Sequence, residues 1–90
     1  MHRSIELTRA FRKDLSKLRF SNEHYAKYIV YLSNLITGVP LPPEALDHAL
    51  KGEWHDFREF HISGDLLVIY TIVDTTISLV RIGTHADLFG

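Results

Sequence analysis

The sequence contains no cysteine among its 90 residues. Disulfide bonds and thiolate-bound metal sites are therefore excluded as sources of stability. The fold must instead depend on an apolar core, and the hydrophobic fraction of 46% and charged fraction of 23% are typical of a globular protein. A chain of this length is expected to form one domain, residues 1–90.

Long hydrophobic runs are also missing. No stretch approaches the roughly 18 consecutive apolar residues that can cross a bilayer, and the first residues lack the apolar core of a signal peptide. Together with the absence of cysteine, this pattern favours a protein of the reducing cytoplasm without a membrane partner.

An excess of positive charge, usual in proteins that bind nucleic acid, is absent too, since the formal net charge is −1. The charge is unevenly distributed, however. Residues 1–40 carry seven Lys/Arg and three Asp/Glu, and residues 41–90 carry three and eight, so the halves have net charges of +4 and −5. This asymmetry permits an anion-binding face on a nearly neutral molecule. Four cations are candidates either for such a face or for the solvated side of a helix: Arg9, Arg12, Lys13 and Lys17.

Two helices are predicted in the first half, after a short strand at residues 3–7. Thr8 is a good N-cap, and apolar residues follow at helical spacing to about residue 19. Ser21 can cap a second helix with a clear apolar stripe, and Gly38, followed closely by three prolines, ends it.

The second half is predicted to contain a connector, three strands and an irregular tail. Residues 39–55 lack a periodic pattern, which is typical of a functional or binding loop. Strands are predicted at residues 56–62, 66–73 and 76–82, and the tail covers residues 85–90. The order of elements predicts an α+β fold, β-α-α-β-β-β, with two N-terminal helices packed on one face of an antiparallel sheet.

Histidine is frequent, with six residues, and four of them lie in the connector and the β half: His48, His55, His61 and His85. Because histidine changes charge near neutral pH, this group indicates acid–base catalysis or metal binding. The first three are separated by seven and six positions without a His-x-x-x-His pair, so metal binding is disfavoured and no metal or cofactor is predicted. Strand alternation places His61 on the same face as Phe57 and Glu59.

Arg81 lies in an otherwise apolar strand, where a half-buried guanidinium needs an anionic partner. Alternation places it on the face of Ile77 and Leu79. Two kinds of partner stay open at this point: a phosphate, or a carboxylate such as Glu59 or Asp65.

Several spaced motifs occur across the whole chain. They are Leu41-Pro42-Pro43, Asp47-His48-x-Leu50-x-Gly52-x-Trp54, Phe57-Arg58-x-x-His61, Leu67-x-Ile69-Tyr70 and Arg81-x-Gly83-Thr84-His85-x-x-Leu88-Phe89-Gly90. Together they resemble the YafQ branch of the RelE superfamily of type II toxin–antitoxin toxins. The resemblance implies a RelE-like (microbial ribonuclease-like) fold, which agrees with the predicted order of elements.

The resemblance also implies an activity and partners. Members of this branch are cytoplasmic endoribonucleases that cleave messenger RNA in the ribosomal A site and are neutralised by a co-encoded, DNA-binding antitoxin. The free toxin is expected to be monomeric. The positions that match the family's catalytic residues are His48, His61, Asp65 and His85. His55 matches no motif position and is expected to be non-catalytic.

RNA carries its own nucleophile, the 2′-hydroxyl. Cleavage without a metal needs a base for that hydroxyl, an acid for the 5′-oxygen and positive charge at the phosphate. We expect His85 to be one proton-transfer partner and either His48 or His61 to be the other, with Arg81 holding the scissile phosphate.

Three further residues are expected to support this chemistry. Asp65 would orient a histidine or hold its cationic form. Phe89 matches the family's C-terminal aromatic residue and would stack on a base near the cut or anchor the tail to the core. Glu59 stands where the branch usually has aspartate, so the resemblance leaves its role at the substrate site open.

Two other functions remain possible at this stage. The superfamily includes ParE-like toxins that poison DNA gyrase without a ribonuclease site, and a former toxin can retain antitoxin affinity without activity. The matched histidines argue against both. Because the β half carries few cations, we expect weak cleavage of free RNA and stronger cleavage on the ribosome, with the first helix contacting ribosomal RNA.

Overall fold

Five strands and three helices make up the fold of residues 2–90, the part of the chain that the computed structural model describes. The strands are β1 (Ser4–Leu7), β2 (His48–Ala49), β3 (Arg58–His61), β4 (Leu66–Val73) and β5 (Thr76–Thr84). The helices are α1 (Arg9–Lys17), α2 (Asn22–Thr37) and α3 (His85–Phe89). All five strands belong to one sheet, in the order β1-β5-β4-β3-β2. None of the helices in this part of the chain is long and apolar enough to cross a membrane.

Local signals set the ends of the two long helices, as the sequence predicts. The Thr8 side chain accepts a hydrogen bond from the Phe11 amide, and the Ser21 side chain accepts one from the His24 amide. α2 ends at Gly38, whose φ of 76° is a left-handed conformation that glycine adopts without steric cost.

The predicted antiparallel meander is confirmed, since β3 pairs with β4 and β4 pairs with β5 in antiparallel orientation. The sheet is not antiparallel throughout, however, because β1 pairs with β5 in parallel. A parallel pair requires a long crossover connection, and the two helices and the meander together provide it.

One face of the sheet, which we call the helix face, packs against α1 and α2. Its core contains most of the buried apolar side chains: Phe11, Tyr28, Tyr31, Leu35, Ala45, Phe60, Ile62, Leu66, Val68, Tyr70, Ile77, Leu79 and Ile82. Phe60 is fully buried there and makes an edge contact with Tyr31, with ring centroids 5.7 Å apart. This face supplies most of the apolar burial that stabilises the fold.

The opposite face, which we call the histidine face, has a smaller apolar cluster. Leu67 and Ile69 are fully buried beneath Leu88 of α3. Gly83 of β5 lies directly against α3, since a Cβ at this position would contact Leu88 Cδ2 at 3.4 Å. Four partly buried residues surround the cluster: Leu50, Trp54, Phe57 and Val80.

Two elements differ from the predictions. The tail predicted to be irregular forms α3, in which the Thr84 side chain caps the helix by accepting a hydrogen bond from the Asp87 amide. The connector contains two 3₁₀ turns (Pro43–Ala45 and Gly52–Trp54) and the two-residue strand β2.

A bulge in β5 changes the direction of Arg81. The pairing with β4 shifts between Ile69 and Tyr70, so that Leu79 lies opposite Tyr70 whereas Arg81 lies opposite Ile69. Val80 is the extra residue. The prediction that Arg81 shares a face with Leu79 is therefore wrong, because Leu79 packs in the helix-face core and Arg81 is aligned with Ile69 of the histidine face.

Candidate active site

Strand pairing aligns several candidate residues across the sheet. His48 of β2 lies opposite Glu59 of β3, and Glu59 lies opposite Ile69 of β4, which in turn lies opposite Arg81 of β5. His61 follows two residues after Glu59 on the same face, as alternation predicts. The sheet thus brings residues from three distant parts of the sequence onto the histidine face.

Three histidines converge on one carboxylate oxygen. Glu59 Oε2 lies 2.9 Å from His61 Nε2, 3.4 Å from His48 Nε2 and 3.8 Å from His85 Nε2. Glu59 itself is only 3% exposed. A buried carboxylate requires donors or cations around it, and His61 supplies a donor at hydrogen-bond distance. Glu59 therefore lies at the centre of the cluster of predicted catalytic histidines.

The contact between His61 Nε2 and Glu59 determines the tautomer of the His61 ring. A carboxylate only accepts hydrogen bonds, so Nε2–H of His61 donates to Glu59 at 2.9 Å. In the neutral ring, the lone pair is then on the other nitrogen, Nδ1. The side chain is only 15% exposed, which limits its access to a large substrate.

His48 is oriented by its own backbone. Its Nδ1 lies 2.6 Å from the Leu46 carbonyl oxygen, so Nδ1–H donates there and Nε2 faces Glu59. The His48 side chain is 51% exposed. In the neutral ring, the lone pair is thus on the nitrogen beside Glu59, and the ring is accessible from solvent.

His85 begins α3 and is the most exposed of the three, with 60% of its side chain accessible. Its ring centroid lies 6.3 Å from that of His61 and 5.1 Å from that of Phe89. The bend from β5 into α3, capped by Thr84, places the ring at the rim of the cluster.

Asp65 lies beside the cluster rather than within it. Its Oδ1 accepts a hydrogen bond from the backbone N–H of His85 at 3.5 Å, and the residue is exposed. The carboxylate that contacts the histidine rings is Glu59, the position whose role the resemblance left open. Asp65 therefore contacts the start of α3 rather than an imidazole.

Phe89 and Trp54 form an aromatic rim next to His85. The Phe89 ring lies 5.8 Å from the Trp54 ring in an edge contact, and Trp54 lies 5.4 Å from Phe57. Phe89 remains exposed at the surface despite these contacts. Both predicted roles of Phe89, as an anchor of the tail and as a stacking surface for a base, are compatible with this placement.

Arg81 forms an ion pair with Asp14 of α1. Its Nε and Nη2 donate to the two carboxylate oxygens at 2.6 and 2.9 Å, and the Ile82 amide donates to the same carboxylate at 3.1 Å. Burial opposes ionisation of Asp14, but the hydrogen bonds from Arg81 and Ile82 hold its pKa below the usual value. The hydrogen bond to Asp14 in turn raises the pKa of Arg81.

The carboxylate partner of Arg81 is thus Asp14, and the expectation of Glu59 or Asp65 is wrong. Asp14 and Arg81 are 67 positions apart, and the two meet because α1 covers the edge of β5 beyond the residues that pair with β1. One sequence feature pointed to this pair, since Asp14 is the only carboxylate in the predicted first helix.

A shallow cleft next to this ion pair extends between α1 and α3. Its lining includes two acidic and two basic residues among apolar ones: Asp14, Lys17, Leu18, Arg81, Ile82, Gly83 and Asp87. The two pairing interactions with Asp14 use Nε and Nη2 of Arg81, and within residues 2–90 no hydrogen bond involves Nη1. Lys17 and this nitrogen are the positive groups of the cleft.

His55 lies outside the cluster, and its expected lack of a catalytic role stays a prediction. Its Nε2 is 3.3 Å from Asp56, and both side chains are largely exposed. The Nε2 atoms of the three clustered histidines lie 2.9, 3.4 and 3.8 Å from one carboxylate oxygen. Within residues 2–90, no three His, Asp or Glu side chains are arranged as ligands of a metal ion.

The chain is similar in sequence to known bacterial toxins. The family model described as "Bacterial toxin of type II toxin-antitoxin system, YafQ" matches residues 3–90. The mRNA interferase toxin YafQ of Escherichia coli K12 is 37% identical over 93 residues, covering 100% of this chain and 99% of the relative. The putative toxin YafQ of Haemophilus influenzae is 38% identical over 72 residues, covering 77% of this chain and 71% of the relative.

Two solved structures show the same fold. YafQ in the E. coli DinJ–YafQ toxin–antitoxin complex has a TM-score of 0.85 and 33% identity, with 100% of both chains covered. A metal-bound toxin from Helicobacter pylori has a TM-score of 0.84 and 40% identity, covering 97% of this chain and 99% of that chain. By sequence and by fold, the chain belongs to the YafQ family of bacterial type II toxin–antitoxin toxins.

Proposed function

We propose that this toxin is a cytoplasmic endoribonuclease that cleaves messenger RNA on the ribosome by histidine acid–base catalysis. The convergence of three imidazoles on the buried Glu59 carboxylate carries the proposal. The name of the E. coli relative, an mRNA interferase, supports the same substrate.

The proposed reaction begins with attack by the 2′-hydroxyl of the RNA. One histidine removes the hydroxyl proton, O2′ bonds to phosphorus, and a second histidine protonates the departing 5′-oxygen. The products are a 2′,3′-cyclic phosphate and a 5′-hydroxyl. Each well-placed acid or base contributes roughly 10²–10⁴ to the rate.

Exposure favours His85 and His48 as the two proton-transfer residues, because their side chains are accessible whereas that of His61 is mostly buried. His61 would support them by holding Glu59 in place through the 2.9 Å hydrogen bond. The negative charge of Glu59 would stabilise the positive charge that an imidazole acquires when it takes a proton from the RNA.

Arg81 is the proposed phosphate ligand. The Asp14 pair fixes the plane of the guanidinium and uses Nε and Nη2, and Arg81 lines the same cleft as Lys17. A planar, oriented guanidinium suits a phosphate group. Phe89, next to His85, would stack on a base beside the cut, and Asp65 would hold the start of α3 in place.

The ribosome is proposed to supply most of the RNA affinity. The four cations of α1 identified from the sequence are exposed, as a contact with ribosomal RNA requires. Few cations surround the histidine cluster itself, so free RNA would bind weakly.

A cognate antitoxin is the proposed inhibitor, and the free toxin is proposed to be a monomer. The E. coli relative has been solved in a complex with the antitoxin DinJ. We expect the antitoxin of this chain to cover or distort the histidine face.

The proposal is tested in a purified translation system with a defined messenger, by mapping RNA ends with primer extension. Wild-type protein should cut inside the reading frame only when ribosomes are present. His85→Ala and His48→Ala should each lower the cutting rate by roughly 10²-fold or more. His55→Ala is the matched control, since its ring lies outside the cluster, and should cut like the wild type.

Three outcomes would contradict the proposal. Absence of cuts from folded wild-type protein would favour a gyrase poison or an inactive antitoxin-binding protein. Cuts that survive both substitutions would place the chemistry elsewhere. Loss of cutting with a chelator that is selective for transition metals and spares ribosomal Mg²⁺ would indicate a metal-dependent site, which the H. pylori metal-bound structure makes worth testing.

A further inference from the structure

We propose that Asp47 is a positioning residue that holds His48 in the active site through contacts with Tyr70 and Arg58. The inference rests on the proposed role of His48 and adds a network on the other side of the sheet. Asp47 belongs to the Asp-His motif of the sequence, yet none of the proposed catalytic steps uses it.

Asp47 is bound to two neighbouring strands. Its Oδ1 accepts a hydrogen bond from the Tyr70 hydroxyl at 2.6 Å and lies 3.3 Å from Arg58 Nε. Tyr70 and Arg58 are themselves paired across β4 and β3. Tyr70 is 1% exposed and belongs to the helix-face core, so this contact joins the connector to a close-packed part of the molecule.

His48 has little other support. β2 contains only two residues and lies at the edge of the sheet, paired with β3 alone. The His48 ring is held by the Leu46 carbonyl and faces Glu59 without a short hydrogen bond. A catalytic side chain must be held in position to act, and the anchored side chain of the neighbouring Asp47 holds the His48 segment in place.

The backbone conformation of Leu46, the residue before Asp47, also indicates that His48 depends on the contacts of Asp47. Leu46 has a φ of 50°, a left-handed conformation that a branched apolar residue rarely adopts. This conformation accompanies the short contact between the Leu46 carbonyl and His48 Nδ1. Such a conformation persists when surrounding contacts impose it, and the Asp47 side chain supplies those contacts on the next residue.

Tyr70 and Arg58 both keep the protonation states in which they donate hydrogen bonds to Asp47. Burial and the contact with Asp47 raise the pKa of Tyr70, so its hydroxyl stays a donor. Burial disfavours the charged form of Arg58, but its contacts with Tyr70 and Asp47 outweigh this effect and raise its pKa.

The test is a double-mutant cycle between Tyr70→Phe and His48→Ala, with the cutting rate in the purified translation system as readout. Tyr70→Phe should lower the rate on the order of tenfold when His48 is present, because a misplaced catalytic group reacts slowly. In the His48→Ala background it should lower the rate no more than about twofold. Thr71→Val is the matched control, since it removes a neighbouring hydroxyl that donates to the Asp56 carbonyl and not to Asp47.

Nitrogen NMR of the histidine rings provides a second readout that needs no RNA cleavage. The ring signals of His48 should shift or broaden in Tyr70→Phe, whereas those of His61, held by Glu59, should not change. If the wild type fails to cut RNA, this experiment still tests the positioning role and separates it from the proposed function.

Asp47 variants cover the case in which Tyr70→Phe does not fold. Asp47→Asn keeps an oxygen that can accept from Tyr70 and should retain most of the rate, whereas Asp47→Ala should lose about as much as Tyr70→Phe. Equal losses with and without His48, or unchanged His48 signals in Tyr70→Phe or Asp47→Ala, would overturn the proposal.

Discussion

The two faces of the sheet differ in how their residues are buried. The helix face buries a large, almost entirely apolar core, whereas the histidine face buries a small apolar cluster (Leu67, Ile69 and Leu88) together with the Glu59 carboxylate. β3 shows the division within consecutive residues, since Phe60 enters the helix-face core while Glu59 and His61, on either side of it, belong to the site. A single short strand thus contributes to the apolar core with one face and to the candidate site with the other.

The large apolar core of the helix face allows a small protein to tolerate the buried Glu59 carboxylate. Burial of Glu59 opposes folding unless its partners compensate, and its partners are partly exposed imidazoles. The apolar contacts of the helix face can offset the remaining cost. We therefore expect substitutions on the two faces to separate stability from activity.

The largest expected effect is on the helix face. Phe60→Ala should lower the free energy of unfolding by about 3–5 kcal/mol, because it leaves a cavity in the centre of the core. His85→Ala, an exposed residue of the other face, should change it by less than about 0.5 kcal/mol. Urea denaturation of both variants measures the difference, and similar losses for the two would contradict the division.

The next largest effect concerns Glu59, the centre of the histidine face. Glu59→Gln should lower the RNA cutting rate by roughly 10²–10³-fold, because it removes the charge that stabilises a protonated imidazole. Glu59→Asp should retain most of the cutting rate, since the family branch that the sequence resembles usually has aspartate at the matching position. Glu53→Gln, an exposed acid, is the control. A fully active Glu59→Gln would show that the histidines act without this carboxylate.

The Asp14–Arg81 ion pair should contribute to stability in a pH-dependent way. At neutral pH, Asp14→Asn should lower the free energy of unfolding by about 1–3 kcal/mol, because the carboxylate accepts hydrogen bonds from a charged partner. The native pKa of Asp14 lies below its ordinary value of 3.8, so this contribution is complete above that pH and is lost as the pH falls through the native pKa. Urea denaturation at several pH values should show wild type and variant converging in acid, and a constant difference would contradict this origin.

The smallest expected effect is at the aromatic rim. Phe89→Leu keeps an apolar contact with Trp54 but removes the ring, and we expect the cutting rate to fall by roughly fivefold, the lower part of the range for loss of one stacked base. Thermal stability should be nearly unchanged. A clear fall in thermal stability alongside the fall in cutting rate would instead support the alternative role of Phe89 as an anchor of the tail.

Most of the fold could be predicted because its signals are local. The caps at Thr8 and Ser21 and the glycine at Gly38 define the two long helices, and the predicted strand at residues 66–73 coincides with β4. α3 also had a local signal, since Thr84 and Asp87 have the spacing of a helix-capping pair, but its single turn is short enough to be missed.

The parts that could not be predicted depend on contacts between distant segments. β2 forms because Ala49 and His48 pair with β3, and nothing in the residues of the connector alone indicates a strand. The bulge at Val80 interrupts an alternation that looks regular in the sequence, and it turned Arg81 to the other face. For the site, alternation placed Glu59 with His61, but the approach of His48 and His85 follows only from the folded sheet.

The most direct test of the proposed chemistry is a messenger with a single 2′-deoxynucleotide on the 5′ side of the mapped cut, translated in the purified system with wild-type protein. The histidine mechanism predicts that cutting at that bond disappears while other sites are still cut, and that ordinary messenger gives fragments ending in 2′,3′-cyclic phosphate or 3′-phosphate. Continued cutting at the deoxy position, with 3′-hydroxyl ends, would contradict the account, because the nucleophile would then be water and not the RNA itself.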